Sequence, residues 1–121
     1  MIMKRTPLRG EIWYLKPPTD PPDKLERPVV IVSVDARNRH ARASTVLIVP
    51  LTGWVEKDVP THILLAPGEA GLNPSCARAE DITVVRKESL IEPKHALRTL
   101  SNTRICQIAD AVRMAMGCAP K

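Results

Sequence analysis

The chain is expected to fold as a small, mainly β (α+β) domain: antiparallel strands curled into a barrel, followed by one C-terminal helix. Three observations point there. Short apolar, β-branched runs are separated by Pro, Gly and polar residues, and a helical period appears only after residue 100. The β runs come first and the helix last, without the alternation that builds a parallel sheet. The ordered stretches Arg9-Gly10-Glu11-Ile12-Trp13, Arg27-Pro28-Val29-Val30-Ile31-Val32-Ser33 and Val49-Pro50-Leu51-Thr52 read as a strand start, a buried strand and a strand end. They bring an Arg and a Thr to strand ends, and a fixed cation beside a hydroxyl suits a phosphate.

Glu11 to Leu15 reads as the first strand, with β-propensity from Trp13 and Tyr14. Residues 16–27 form a Pro-rich loop, because Pro17, Pro18, Pro21 and Pro22 cannot donate to a ladder. Val29 to Val34 is a continuous apolar run, the pattern of a strand covered on both faces. Asp35 to Ala43 holds three Arg and reads as a basic loop. Thr45 to Val49 is a strand expected to stop at Pro50, and Thr52-Gly53 is a turn signal. Shorter strands follow at His62 to Leu65, Ser75 to Arg78 and Ile82 to Val85.

The period then changes. Ile105, Ile108, Ala109, Val112, Ala115 and Met116 lie on one apolar stripe, which predicts a helix over about 102–116. Ser101 is a suitable N-cap, Leu100 and Ile105 stand at the spacing of a hydrophobic staple, and Gly117 suits the position after the C-cap. Arg104 occupies the place where Glu or Gln would complete a capping box.

Residues 1–121 are read as one domain, long enough to bury roughly two-thirds of the unfolded surface without disulfide or metal. With two Trp, one Tyr and no Phe, the core must be largely aliphatic. The same scarcity counts against a single-strand binder that works by stacking bases on a row of rings. The net charge of +5 suits an anionic partner without specifying one. Cys76, Cys106 and Cys118 form no C-x-x-C, and no His stands at ligand spacing from them, so structural zinc and a disulfide framework are not expected. Free thiols fit a reducing compartment. Residues 1–11 hold no apolar run, so neither a secretory leader nor a membrane span is expected, and the cytoplasm is the expected location.

The candidate site residues each admit an ordinary reading. Arg27 precedes Pro28, which favours extended backbone at the mouth of the buried strand. It is either a rim cation paired with a carboxylate or a clamp for two phosphate oxygens. Thr52 either closes its own turn through its hydroxyl or orients a substrate oxygen. Arg78 and Glu80, two apart on an extended segment, would share a face, as an ion pair or as a base beside a cation, with Asp81 facing away. Arg37, Arg39 and Arg42 are either solvated surface or a track for a phosphate backbone. His40, His62 and His95 stand in unrelated contexts and read as solvated loop or strand-end residues, and no Ser sits in a G-x-S-x-G elbow.

Taken together, these stretches resemble the PemK/MazF family of bacterial toxins, the ribonuclease half of toxin–antitoxin pairs. Asn38 beyond the second stretch, Gly71-Leu72, Ser75, the segment from Arg78 to Val85, and Leu100-Ser101 with the last helix extend the likeness over residues 9 to about 117. It implies an SH3-like barrel working as a homodimer, with no cofactor and no metal. The implied activity is sequence-specific cleavage of single-stranded RNA: the 2′-hydroxyl attacks the adjacent phosphate and leaves a 2′,3′-cyclic phosphate and a 5′-hydroxyl. Arg27 and Thr52 fall on the family's catalytic Arg and Thr. Arg78 and Glu80 fall where one branch places an Arg and an Asp for acid–base work. The resemblance also puts Arg78, Arg37, Arg39, Arg42, Ser33, Asn38 and Trp54 toward RNA.

Chemistry narrows these roles. Arg27 loses its proton too reluctantly to be an acid and suits the charge of the phosphorane. Thr52 is too weak a base and suits a hydrogen bond to phosphate. Glu80 is the credible base for the 2′-hydroxyl, and water or Arg78 could protonate the leaving oxygen. Many family members carry Glu five residues before the catalytic Arg, where this chain has Pro22. The implied partner is an acidic, partly disordered antitoxin. The alternatives are a binder of the gyrase-poison type, which uses a C-terminal Trp-Gly-Ile that residues 118–121 do not carry, and a barrel that binds RNA or protein without cleavage.

Overall fold

The computed structural model describes residues 5–16, 26–54, 58–70, 74–94 and 97–118. Most of the Pro-rich loop, Pro22 included, and the Gly71-Leu72 and His95 positions lie outside the described residues. In chain order the elements are β1 (Ile12–Leu15), β2 (Arg27–Ile31), α1 (Asp35–Asn38), β3 (Thr45–Thr52), β4 (His62–Leu65), β5 (Ser75–Arg78), β6 (Thr83–Arg86), β7 (Leu90–Ile91) and α2 (Asn102–Ala115). Short 3-10 turns at Ala79–Asp81 and Lys87–Ser89 flank β6.

All strand pairs are antiparallel, in the order β4-β5-β3-β2-β1-β7, with β6 added to β3. The hydrogen-bonded path among the described residues is open, so the expected barrel describes this sheet only loosely. The mainly β architecture with a terminal helix stands as read from the sequence.

β3 is the spine of the sheet. Its first half pairs with β6 and its last two residues with β5, both on the side away from β2. It does not stop at Pro50. Val32 N–H donates to the Leu47 carbonyl, so residues 47 and 49 bond toward β2 and residue 50 faces the other way. There the missing N–H of Pro50 meets the gap where β3 passes from β6 to β5, and no ladder bond is lost.

Two further readings need correction. β2 ends at Ile31 rather than Val34, since Val34 leads into α1 and is exposed. The segment read as a basic loop starts with that short helix, held by Asn38, whose side chain donates to the Ser33 carbonyl at 2.8 Å and to Asp35 Oδ1 at 3.0 Å.

Two apolar clusters lie on the two faces of the sheet. Ile12, Val30, Val49, Leu51, Leu65 and Ala77 pack with Ile105, Ile108 and Ala111 of α2. Trp13, Val29, Ile31, Val46, Ile48 and Leu90 pack on the other face. Among the described residues the core is aliphatic apart from Trp13 and Cys76, both fully buried. The helix buries a narrower stripe than expected: Ala111 joins Ile105 and Ile108, whereas Ala109, Ala115 and Met116 are exposed. Its ends follow the sequence signals. Ser101 Oγ accepts the Arg104 N–H at 3.2 Å, and Leu100 and Ile105 are buried together. At the other end Gly117 has φ +84°, and Cys118 N–H donates to the Arg113 carbonyl at 3.1 Å, which closes the last turn.

The opening motif is a clasp. Gly10 has φ +91°, its N–H donates to the Ile31 carbonyl at 2.7 Å, and its carbonyl accepts from Leu100 at 2.8 Å. Buried Glu11 uses Oε1 to accept the Leu8 N–H at 2.8 Å and the Trp13 ring N–H at 3.0 Å. Arg9 N–H donates to Asp35 Oδ1 at 2.7 Å, and this bond holds the Asp35 carboxyl below the usual carboxylate range.

Candidate active site

Register decides which side chains meet. Val29 pairs with Pro50, and continuing that register two residues outward sets Arg27 against Thr52. Thr52 pairs with Cys76, and Arg78, two residues on, pairs with His62. Residues directly opposite each other share a face, as do residues two apart along a strand. Arg27, Thr52, Cys76, Arg78 and His62 therefore belong to one face of the sheet. It is the face opposite α2, because Leu51, Ala77 and Leu65, which alternate with them, pack against the helix.

On this face Arg27 is exposed at the start of β2, while Thr52 is half-buried at the end of β3. Thr52 Oγ1 accepts the Trp54 N–H at 3.1 Å, so the turn-closing role read for it is real. Trp54 follows with 75% of its surface exposed, next to the strand end that carries Thr52.

The expected pairing of Arg78 with Glu80 does not occur. The 3-10 turn at Ala79–Asp81 ends the strand alternation after Arg78. A residue three further on then comes back alongside, and Arg78 Nε meets Asp81 Oδ2 at 3.3 Å. Asp81 thus faces toward Arg78. Glu80 instead meets His62, with Nε2 and Oε1 2.5 Å apart. His62 is no solvated residue: its side chain is 8% exposed, against 39% for Glu80. Sequence reasoning missed this contact because it depends on pairing β4 with β5 across an eighteen-residue separation. The only local sign is His62 at the head of an apolar strand.

The remaining candidates divide. Ser33 and Asn38 are buried and bonded to each other, and Ser33 Oγ also accepts the Leu47 N–H at 3.1 Å. Their polar atoms brace the β2–β3 connection, which corrects their reading as RNA contacts. Arg37 donates to the Thr45 carbonyl and hydroxyl at 2.8 and 2.7 Å, so much of its guanidinium is committed to the start of β3. Arg39 and Arg42 are exposed.

The sequence matches the family model of the PemK-like, MazF-like toxins of type II toxin–antitoxin systems over residues 8–116. The chain belongs to this family. The resemblance carried by the opening motifs thus extends over almost the whole chain. Among solved structures of the same fold, an endoribonuclease from a mycobacterial species is 26% identical, with a TM-score of 0.72 and 97% of both chains covered. A mycobacterial endoribonuclease in complex with its cognate antitoxin is 24% identical, with a TM-score of 0.69, covering 98% of this chain and all of that one. The MazE–MazF complex of Deinococcus radiodurans, at 14% identity, has a TM-score of 0.72 over 96% of this chain and 100% of the other. No curated protein matches the sequence significantly. No helix among the described residues is long and apolar enough to cross a membrane.

Proposed function

We propose that this toxin is a sequence-specific endoribonuclease that cleaves single-stranded RNA without a metal ion. One observation carries the reading: the register that pairs Val29 with Pro50, continued two residues outward, sets Arg27 against Thr52 on the sheet face that α2 leaves uncovered, with Arg78 on the same face. A cation and a hydroxyl at neighbouring strand ends can bind one phosphate between them.

In this reading the 2′-oxygen of the nucleotide attacks the adjacent phosphorus as Glu80 takes the hydroxyl proton. Arg27 then faces the negative charge that builds on the non-bridging oxygens, and Thr52 donates a hydrogen bond to one of them. The bond from phosphorus to the 5′-oxygen breaks, and that oxygen takes a proton from water, with the Arg78 guanidinium on the same face to stabilise the charge on it. The products are a 2′,3′-cyclic phosphate and a 5′-hydroxyl. Trp54 offers a ring for a splayed base, and Arg39 and Arg42 offer charge for the flanking backbone. Arg37 keeps its charge but has less freedom to reach RNA.

The protein acts in the cytoplasm as a homodimer, and an acidic antitoxin segment restrains it by covering the basic face. Family membership supports the antitoxin, as do solved relatives that hold one. The test is incubation of the purified protein with a long RNA in EDTA, followed by mapping of the ends. Cleavage leaving cyclic-phosphate ends is expected. Arg27→Ala should lower the rate by about a hundredfold or more while the variant still melts in a cooperative transition, which shows that it is folded. Intact RNA with the wild-type protein, or an Arg27→Ala variant that cleaves normally, would overturn the reading.

A further inference from the structure

We infer that His62 is the positioning residue for Glu80: it fixes one carboxylate oxygen and leaves the other to accept the proton of the 2′-hydroxyl. This rests on the cleavage reading above.

Three observations lead to it. Glu80 is placed by a 3-10 turn, outside the strand alternation, so the backbone alone does not aim it at the face that carries Arg27 and Thr52. His62 does lie on that face, opposite Arg78. Its Nε2 meets Glu80 Oε1, which brings the carboxylate back to that face. The anchor is the better-ordered partner by burial, with little exposed surface against a Glu80 that is more than one-third exposed.

The second nitrogen of His62 determines where the ring proton sits. Nδ1 is buried and has no hydrogen-bond partner among the described residues. A buried N–H without an acceptor is among the costliest arrangements, whereas an unprotonated ring nitrogen leaves no orphaned donor. In the neutral ring the proton therefore sits on Nε2, where it points at Glu80. A carboxylate accepting it is oriented through Oε1, and Oε2 becomes the basic oxygen. Arg78 contributes from β5 on the same face, with Asp81 beside it, so the charge around the pair is balanced. His62 touches neither phosphate nor nucleophile in this arrangement; it acts through Glu80.

Side-chain geometry provides the test. The amide nitrogen of Gln reaches about as far as Nε2, while Leu fills the space with no donor. His62→Leu should lower kcat by about tenfold to a hundredfold with KM for RNA nearly unchanged. His62→Gln should recover most of that loss. In a Glu80→Gln background, His62→Leu should add no further loss, because the residue acts only through Glu80. Melting curves separate these effects from misfolding. A nitrogen–proton correlation spectrum of the His62 ring should show Nε2 protonated and Nδ1 bare, with no RNA present. Wild-type rates in His62→Leu, failure of Gln to rescue, an added loss in the double variant, or a protonated Nδ1 would each overturn the inference. A wild-type protein that leaves RNA intact would overturn the cleavage reading itself, and this inference with it.

Discussion

The Thr52 hydroxyl accepts the Trp54 backbone N–H at 3.1 Å. A hydroxyl carries one donor besides its acceptor lone pairs, so closing the turn leaves the Thr52 proton free to be given away. The structural and the catalytic reading of this residue are compatible, because each uses a different part of one group. Thr52→Val keeps the shape and removes both functions, and it should lower kcat/KM for RNA cleavage by about tenfold to a hundredfold. Thr52→Ser should keep most of the activity. Initial rates on a defined RNA decide this, and a Thr52→Ser variant that loses activity while Thr52→Val keeps it would show that the methyl group, not the hydroxyl, matters.

What was legible in the sequence differs from element to element for physical reasons. The terminal helix was readable to within a residue because its cap, staple and terminal Gly are local signals, each within one turn of what it stabilises. β4 and β5 were readable because alternation and flanking turns mark them. The wiring between them was not. Glu80 was assigned to Arg78 by strand periodicity, and a 3-10 turn of three residues broke that periodicity. Its true partner, His62, becomes visible only once register is known. Ser33 and Asn38 failed in another way: polar residues near a proposed site invite a binding role, yet both are buried and consumed in bracing a chain reversal. The role of Arg104 also lay beyond local reading, since the residue that spoils the capping box instead reaches Glu69, thirty-five positions away.

Gly10 should tolerate no side chain. Its φ of +91° lies in the left-handed region, and an added Cβ would come within 3.0 Å of the Leu100 carbonyl oxygen and 3.2 Å of the Thr99 methyl. Backbone cannot rotate out of the way as a flexible side chain can. Gly10→Ala should cost about 2 kcal/mol, from the dihedral and the clash together. On that basis the melting temperature should fall by roughly 8 °C. Gly53 is the control, because a Cβ there meets nothing within 4 Å. Gly53→Ala should melt close to the wild type, and a similar fall in both variants would refute the steric account.

Arg104 grips Glu69 through two nitrogens, Nε to Oε2 at 2.7 Å and the terminal nitrogen to Oε1 at 3.1 Å. Oε1 also accepts the Ala66 N–H at 2.9 Å, so one carboxylate ties the start of α2 to the turn after β4. The Arg104 side chain, with help from that backbone donor, holds the Glu69 carboxyl below its ordinary value of 4.5. A carboxyl lowered in the folded state stabilises the fold fully above its unfolded value and loses that contribution as pH falls through the folded one. Glu69→Gln should therefore destabilise the protein by about 1 kcal/mol at pH 7, where the carboxylate is charged. The gap between variant and wild type should shrink steadily below about pH 4.5, as protonation removes the same charge from the native side chain. Urea unfolding at several pH values measures this. A gap that stays constant into acid would mean that Glu69 stabilises the turn by shape alone.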